Sequence, residues 1–232
     1  MTDLWFCRKR SEAALQAELS AIADALQDIF CRVDDCVESF EKFLSKDRDA
    51  ARVCSLVAIK GRNLAHGCYS LALDGLGQES GALLRPLLEC LELLVYLRVV
   101  PDAPNQALEN TLPQAGKRAA IIGGKFKPLR DHLNENAPHL AISSDSMIHL
   151  VDLGQGRLRI TQPFDIRVLE QNLAALFLFV SALAQQCAVS FEWCAAGKLP
   201  VVSESLLNKA IRSGDRGEAI ALPVLKKRTL AQ

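Results

Sequence analysis

Gly81-Ala-Leu-Leu-Arg85-Pro-Leu-Leu-Glu89-Cys-Leu-Glu92-Leu-Leu-Val-Tyr96-Leu97 is almost entirely apolar and too long for a strand, which makes it a buried helix in an all-helical fold. Its polar members Arg85, Glu89, Glu92 and Tyr96 recur at i, i+4, i+7 and i+11, one stripe of that helix. A buried arginine and two buried carboxylates are costly unless they pair with each other or with another helix. The stripe therefore either lines a polar site or sets how the helices pack. As a buried ion pair, Arg85 and Glu89 are expected to fix helix register, and Arg85→Leu to destabilise by about 3 kcal/mol.

Outward from this helix the chain reads as a bundle of four long helices. Leu15, Leu19, Ile22, Leu26, Ile29, Val33, Cys36 and Phe40 alternate by four and three, which predicts one helix over residues 11–44, with Ser11 as its N-cap. That stripe serves either the bundle core or a seam between two copies, so the expected partner is a second copy held through residues 11–44. A second helix is predicted from Ala50 to Asp74, ended by Gly75-Leu-Gly77, and the opening helix from Gln78 to Val99, bent or begun late at Pro86. Residues 101–164 are least regular. Shorter helices are expected at Ala107–Ile121 and Pro128–Asn136, then a turn at Ser143–Leu150 and one small β-hairpin pairing Val151–Leu153 with Arg157–Thr161. The fourth long helix runs from Asp165 to Ala196. Residues 1–200 form the bundle domain by this reading, and residues 201–232 a short helix at Ser203–Ile211 followed by a glycine- and charge-rich docking tail.

Lys and Arg together number 27, as do Asp and Glu, so no global field draws the 232-residue chain to nucleic acid or an anionic membrane. Gln171–Phe191 is uncharged, but its strongly apolar part, Leu173–Ala184, is shorter than the about 20 residues a membrane span needs. A core helix is expected there rather than a span. Cys31, Cys36, Cys54, Cys68, Cys90, Cys187 and Cys194 fall inside helical patterning, and no CxxC pair or zinc-finger spacing occurs. Met1–Arg10 lacks the apolar stretch of a secretory leader. Reduced cysteines in a cytoplasmic protein are expected.

Gly75-x-Gly77 and Gly154-x-Gly156 lack the setting of a dinucleotide loop, and neither GxxxxGK[ST] nor GxSxG occurs. Of the four histidines, His149 stands four residues after Asp145 and His132 directly after Asp131, but the spacing matches no metalloprotease pattern. No metal and no cofactor are expected.

Arg62-Asn63-Leu64-Ala65-His66 is similar to the catalytic signature of the HEPN superfamily of helical ribonucleases and RNA binders, in which an arginine, often followed by a polar residue, precedes a histidine. Here three residues separate them, fewer than in that signature. The resemblance implies an RNA site in which Arg62 steadies a phosphate, Asn63 assists and His66 exchanges a proton. Leu76-Gly-Gln-Glu79, Ala82-Leu-Leu-Arg85-Pro-Leu-Leu-Glu89 and the later Ile142-Ser-Ser144-Asp-Ser-Met-Ile-His149 resemble a group of bacterial all-helical proteins with no assigned activity, over about residues 50–185. That resemblance implies that Arg85, Glu89 and His149 converge. In the functional reading of the stripe these residues, with Glu92 and Ser144, line a polar pocket for an anionic or polar ligand.

With no catalytic signature matched in full, the chain is expected to be a non-enzymatic interaction or scaffold protein. The alternatives are a HEPN-like RNA-processing enzyme or toxin, and a small-molecule sensor using the Arg/Glu stripe.

Overall fold

The computed structural model describes residues 5–44, 49–136, 151–152, 157–158 and 164–229. In order the elements are α1 (Phe6–Leu15), α2 (Ser20–Ser39) running into a π-helical turn (Phe40–Leu44), α3 (Asp49–Leu73), α4 (Gly77–Val99), α5 (Ala103–Leu108), α6 (Ala115–Ile121), α7 (Lys127–Asn136), β1 (Val151–Asp152), β2 (Arg157–Leu158), α8 (Ile166–Ala195) and α9 (Pro200–Thr229). The fold is all-α. The only strand pairing among the described residues joins Val151 to Leu158 and Asp152 to Arg157, antiparallel.

The uncharged run Leu173–Ala184 lies within α8, which packs against α2, α3, α4 and α9 at once. A helix covered on every side needs no polar face, which is why α8 is apolar all round. It is also the one described helix long and apolar enough to cross a membrane, and 67% of its most apolar window is buried inside the fold. Its start is capped by Asp165, whose Oδ1 accepts from the backbone N–H of Arg167 at 2.9 Å. Its end is turned by Ala196 at φ 50° and Gly197 at φ 72°, both left-handed.

The expected helix over residues 11–44 is broken at residues 16–19. The cause is the docking of α1 on the C-terminal end of α3. Arg8 donates to both carboxylate oxygens of Asp74 at 2.7 Å and to Ser70 Oγ at 2.8 Å. Ser11 is buried rather than capping, and its hydroxyl donates to the Leu73 carbonyl at 2.8 Å. These bonds draw α1 off the axis of α2. Leu19, Ile22, Leu26, Ile29, Val33, Cys36 and Phe40 are all buried within the single chain. A second copy would therefore have to meet α2 by its polar face rather than by this seam. The π-helical turn keeps Phe40 and Leu44 inward, with the Phe40 ring edge-on to Phe191 at 5.5 Å.

Among the described residues five helices are long, not four: where a short helix and tail were expected, Pro200–Thr229 form the 30-residue helix α9. The glycines read as loop punctuation are close-contact positions. A Cβ on Gly217 would stand 2.0 Å from the Phe177 ring, and one on Gly214 would stand 2.7 Å from Ser181 Oγ. Small residues there let α9 lie directly on α8, with Ala210 and Ala221 fully buried in the same contact. The expected single helix at Ala107–Ile121 is two, α5 and α6, because Asn110 turns the chain at φ 57° and Pro113 offers no N–H to continue it. Pro86 sits inside α4 without ending it.

Candidate functional site

The polar stripe of α4 divides into parts with different surroundings. Arg85 and Glu89 are not a buried pair: their side chains are 46% and 33% exposed, and the closest N···O distance is 3.8 Å. Arg85 lies on the half-exposed rim of α4. The buried carboxylate is Glu92, 2% exposed, and its partner comes from α7. Arg130 Nε donates to Glu92 Oε1 at 3.1 Å and Arg130 Nη2 donates to Oε2, a two-pronged bond of the kind guanidinium geometry favours. Bonding to Glu92 holds the Arg130 guanidinium more firmly charged than usual, against the opposing effect of its burial. Tyr96 Oη donates to Gln106 Oε1 at 3.0 Å, fastening α5 to α4. His149 and Ser144, expected to converge on this stripe, lie outside the described residues.

The next turn of α4 carries Arg98, which sequence reasoning passed over. Its Nη1 donates to Ser190 Oγ at 2.5 Å and to the Gln186 carbonyl at 3.2 Å, and its Nη2 to Gln186 Oε1 at 2.6 Å. Burial lowers the Arg98 pKa, opposed by the nearby Cys54, Cys187 and Cys194. These three acceptor bonds satisfy the guanidinium and tie α4 to α8. The signal for it in the chain was a charge at the end of one apolar helix and the polar Gln186 and Ser190 within another.

Arg62, Asn63 and His66 share the outer face of α3, but each is differently engaged. Arg62 is held by Asp34 of α2, with Nη2 donating to Oδ2 at 3.0 Å and Nε to Oδ1. The His66 ring lies 4.4 Å from the Phe30 ring. Its pKa is lowered by partial burial and then by the Arg62 charge, with Asp34 acting the other way. Asn63 is exposed. A phosphate approaching Arg62 would have to displace a two-pronged carboxylate.

Among the described residues no group of three or more His, Cys, Asp or Glu side chains is placed to hold a metal ion. None of the eight cysteines forms a disulfide, and seven are buried, Cys31 being partly exposed. Burial pushes the Cys36 and Cys68 thiols up to about 12 and that of Cys90 to about 11. The Cys54 thiol is raised by its bond with Cys194 and by burial. Thiols held protonated in this way are poor nucleophiles and poor metal ligands.

Among the described residues a concave surface lies along the seam between α2 and α9. A groove of about 380 Å³ is walled by Glu38, Phe43, Val201, Val202 and Leu206 among others, and Lys209 at its end also lines a neighbouring cleft of about 580 Å³. Phe43 and Val201 are 42% and 79% exposed. The sequence reading missed this surface because it treated α9 as a tail, so one wall of the groove was not foreseen. Set against protein-family models, curated proteins and solved structures, the chain matches none of them.

Proposed function

We propose that the chain is a cytoplasmic, non-enzymatic interaction protein that docks another protein in the groove between α2 and α9. The observation that carries this reading is the pairing of Phe43 and Val201, large apolar side chains left in solvent at the walls of a concave surface. Aromatic and aliphatic side chains so placed are the usual anchors of a protein interface. The alternative, RNA cleavage by Arg62, Asn63 and His66, receives less support. Arg62 is engaged by Asp34, His66 packs on Phe30, and the cations that line the described cleft lie outside that face.

A photo-crosslinking amino acid at position 201, compared with one at exposed Leu108, tests the reading. A partner recovered from position 201 alone, and lost when Phe43→Ser is added, is the expected result. Equal recovery from both positions would refute it. So would specific RNA cleavage by the purified chain that disappears in His66→Ala.

A further inference from the structure

The larger cleft has a composition unlike the rest of the surface. Asp28, Arg32, Lys209, Arg212, Ser213, Asp215 and Arg216 line it, so no apolar side chain contributes. Four are cations and two are carboxylates. On α9 the cations recur as 209, 212 and 216, one face of the helix, although like charges at such spacing repel. Asp28 is occupied in holding two of them: its Oδ2 accepts from Arg216 Nη2 at 2.8 Å, and its Oδ1 lies 3.6 Å from Arg32 Nη2. Asp35 takes the other prong of Arg32 at 2.8 Å. Arg32 is thereby fixed in place at one wall and Arg216 at the other. Lys209 and Arg212 have no carboxylate partner among the described residues.

We propose that this cleft is a binding site for a small phosphate-bearing ligand. Cations exceed carboxylates there even with Asp35 counted against Arg32, which favours an anionic ligand. A lone carboxylate offers one edge to one guanidinium fork, whereas a phosphate presents oxygens to several donors at once, matching Lys209 and Arg212, the two cations here that no carboxylate among the described residues engages. The volume suits a ligand of ordinary cofactor or metabolite size. Ser213 adds a hydroxyl to the wall. The site shares Lys209 alone with the docking groove, and its occupancy does not depend on the docking reading given above.

The test is calorimetric titration of the full chain with pyrophosphate at low ionic strength, in wild type, Arg212→Gln and Lys209→Ala/Arg212→Gln. Saturable one-to-one binding is expected, about tenfold weaker in the single variant and weaker again in the double. Lys60→Ala, an exposed cation on α3, should bind as wild type does. Both cleft positions are exposed, so the melting midpoint without ligand should not move, and that is measured alongside. Absence of saturable binding overturns the proposal, as does an affinity unchanged in the double variant. Equal affinity for citrate would show that any polyanion serves, and tighter binding of a single-stranded RNA lost in the same variants would make the cleft a nucleic-acid surface. Either of these also overturns it.

Discussion

Replacing Arg130 by leucine isolates the one buried charge pair of the described structure. The Glu92 side chain is 2% exposed and that of Arg130 13%. Removing the guanidinium leaves a carboxylate sealed between α4 and α7 with both oxygens stripped of their donors. Breaking such a pair costs about 3–5 kcal/mol, and the residual access of water to the Arg130 side puts Arg130→Leu near the lower figure, about 3 kcal/mol. Against a total stability of about 5–15 kcal/mol this is a large fraction. For a chain of this size it corresponds to a fall in Tm of roughly 6–12 °C. Urea unfolding should show a lower midpoint with an unchanged slope. The double variant Glu92→Leu/Arg130→Leu should recover most of the loss, because two apolar side chains replace the pair. Arg85→Leu, on the exposed rim, should cost no more than about 0.5 kcal/mol rather than the 3 first expected. An Arg130→Leu loss below about 1 kcal/mol, or a double variant whose cost is the sum of the singles, would refute the assignment of the buried pair.

Three further outcomes follow from the same contacts. Gly217→Ala should destabilise by about 1–3 kcal/mol in thermal melts, since its Cβ would meet the Phe177 ring, whereas Gly81→Ala, with nothing within 4 Å, should stabilise by about 0.5–1 kcal/mol through helix propensity. Iodoacetamide at mildly alkaline pH should label Cys31 first, and peptide mapping should find the seven buried thiols protected until denaturant is added. Because the folded state lowers the His66 pKa, the unfolded chain binds more protons just below the ordinary histidine value of about 6.5. Stability should then fall as pH drops from neutrality through that value, and His66→Gln should flatten this part of a pH series of urea midpoints.

The helical class and the positions of α3, α4 and α8 were legible because each rests on a local signal: an apolar run of helical length bounded by glycine or proline. The buried heptad stripe of α2 was legible for the same reason, but not whether it faced its own core. That depended on Arg8 reaching Asp74 and on Ser11 reaching the Leu73 carbonyl, contacts between residues more than 60 apart. Glu92 was recognised as a charge in need of a partner, while Arg130, 38 residues away in a weakly patterned segment, carried no mark of its role. Gly214 and Gly217 misled in a more general way. A glycine needed for close helix contact and a glycine needed for a turn look alike until the facing side chain, here Phe177, is known. Since α9 forms one wall of both the groove and the cleft, misreading those glycines hid both of these concave surfaces.

Whether α9 is a docked layer of the bundle can be read from amide hydrogen exchange of the full chain. Amides of residues 204–221 should exchange by the same slow opening as those of α8, with protection approaching the global stability of the fold. Exchange of this stretch within seconds, while α8 stays protected, would mean that α9 is not packed on Phe177 and Ser181 and that neither the groove nor the cleft exists as described.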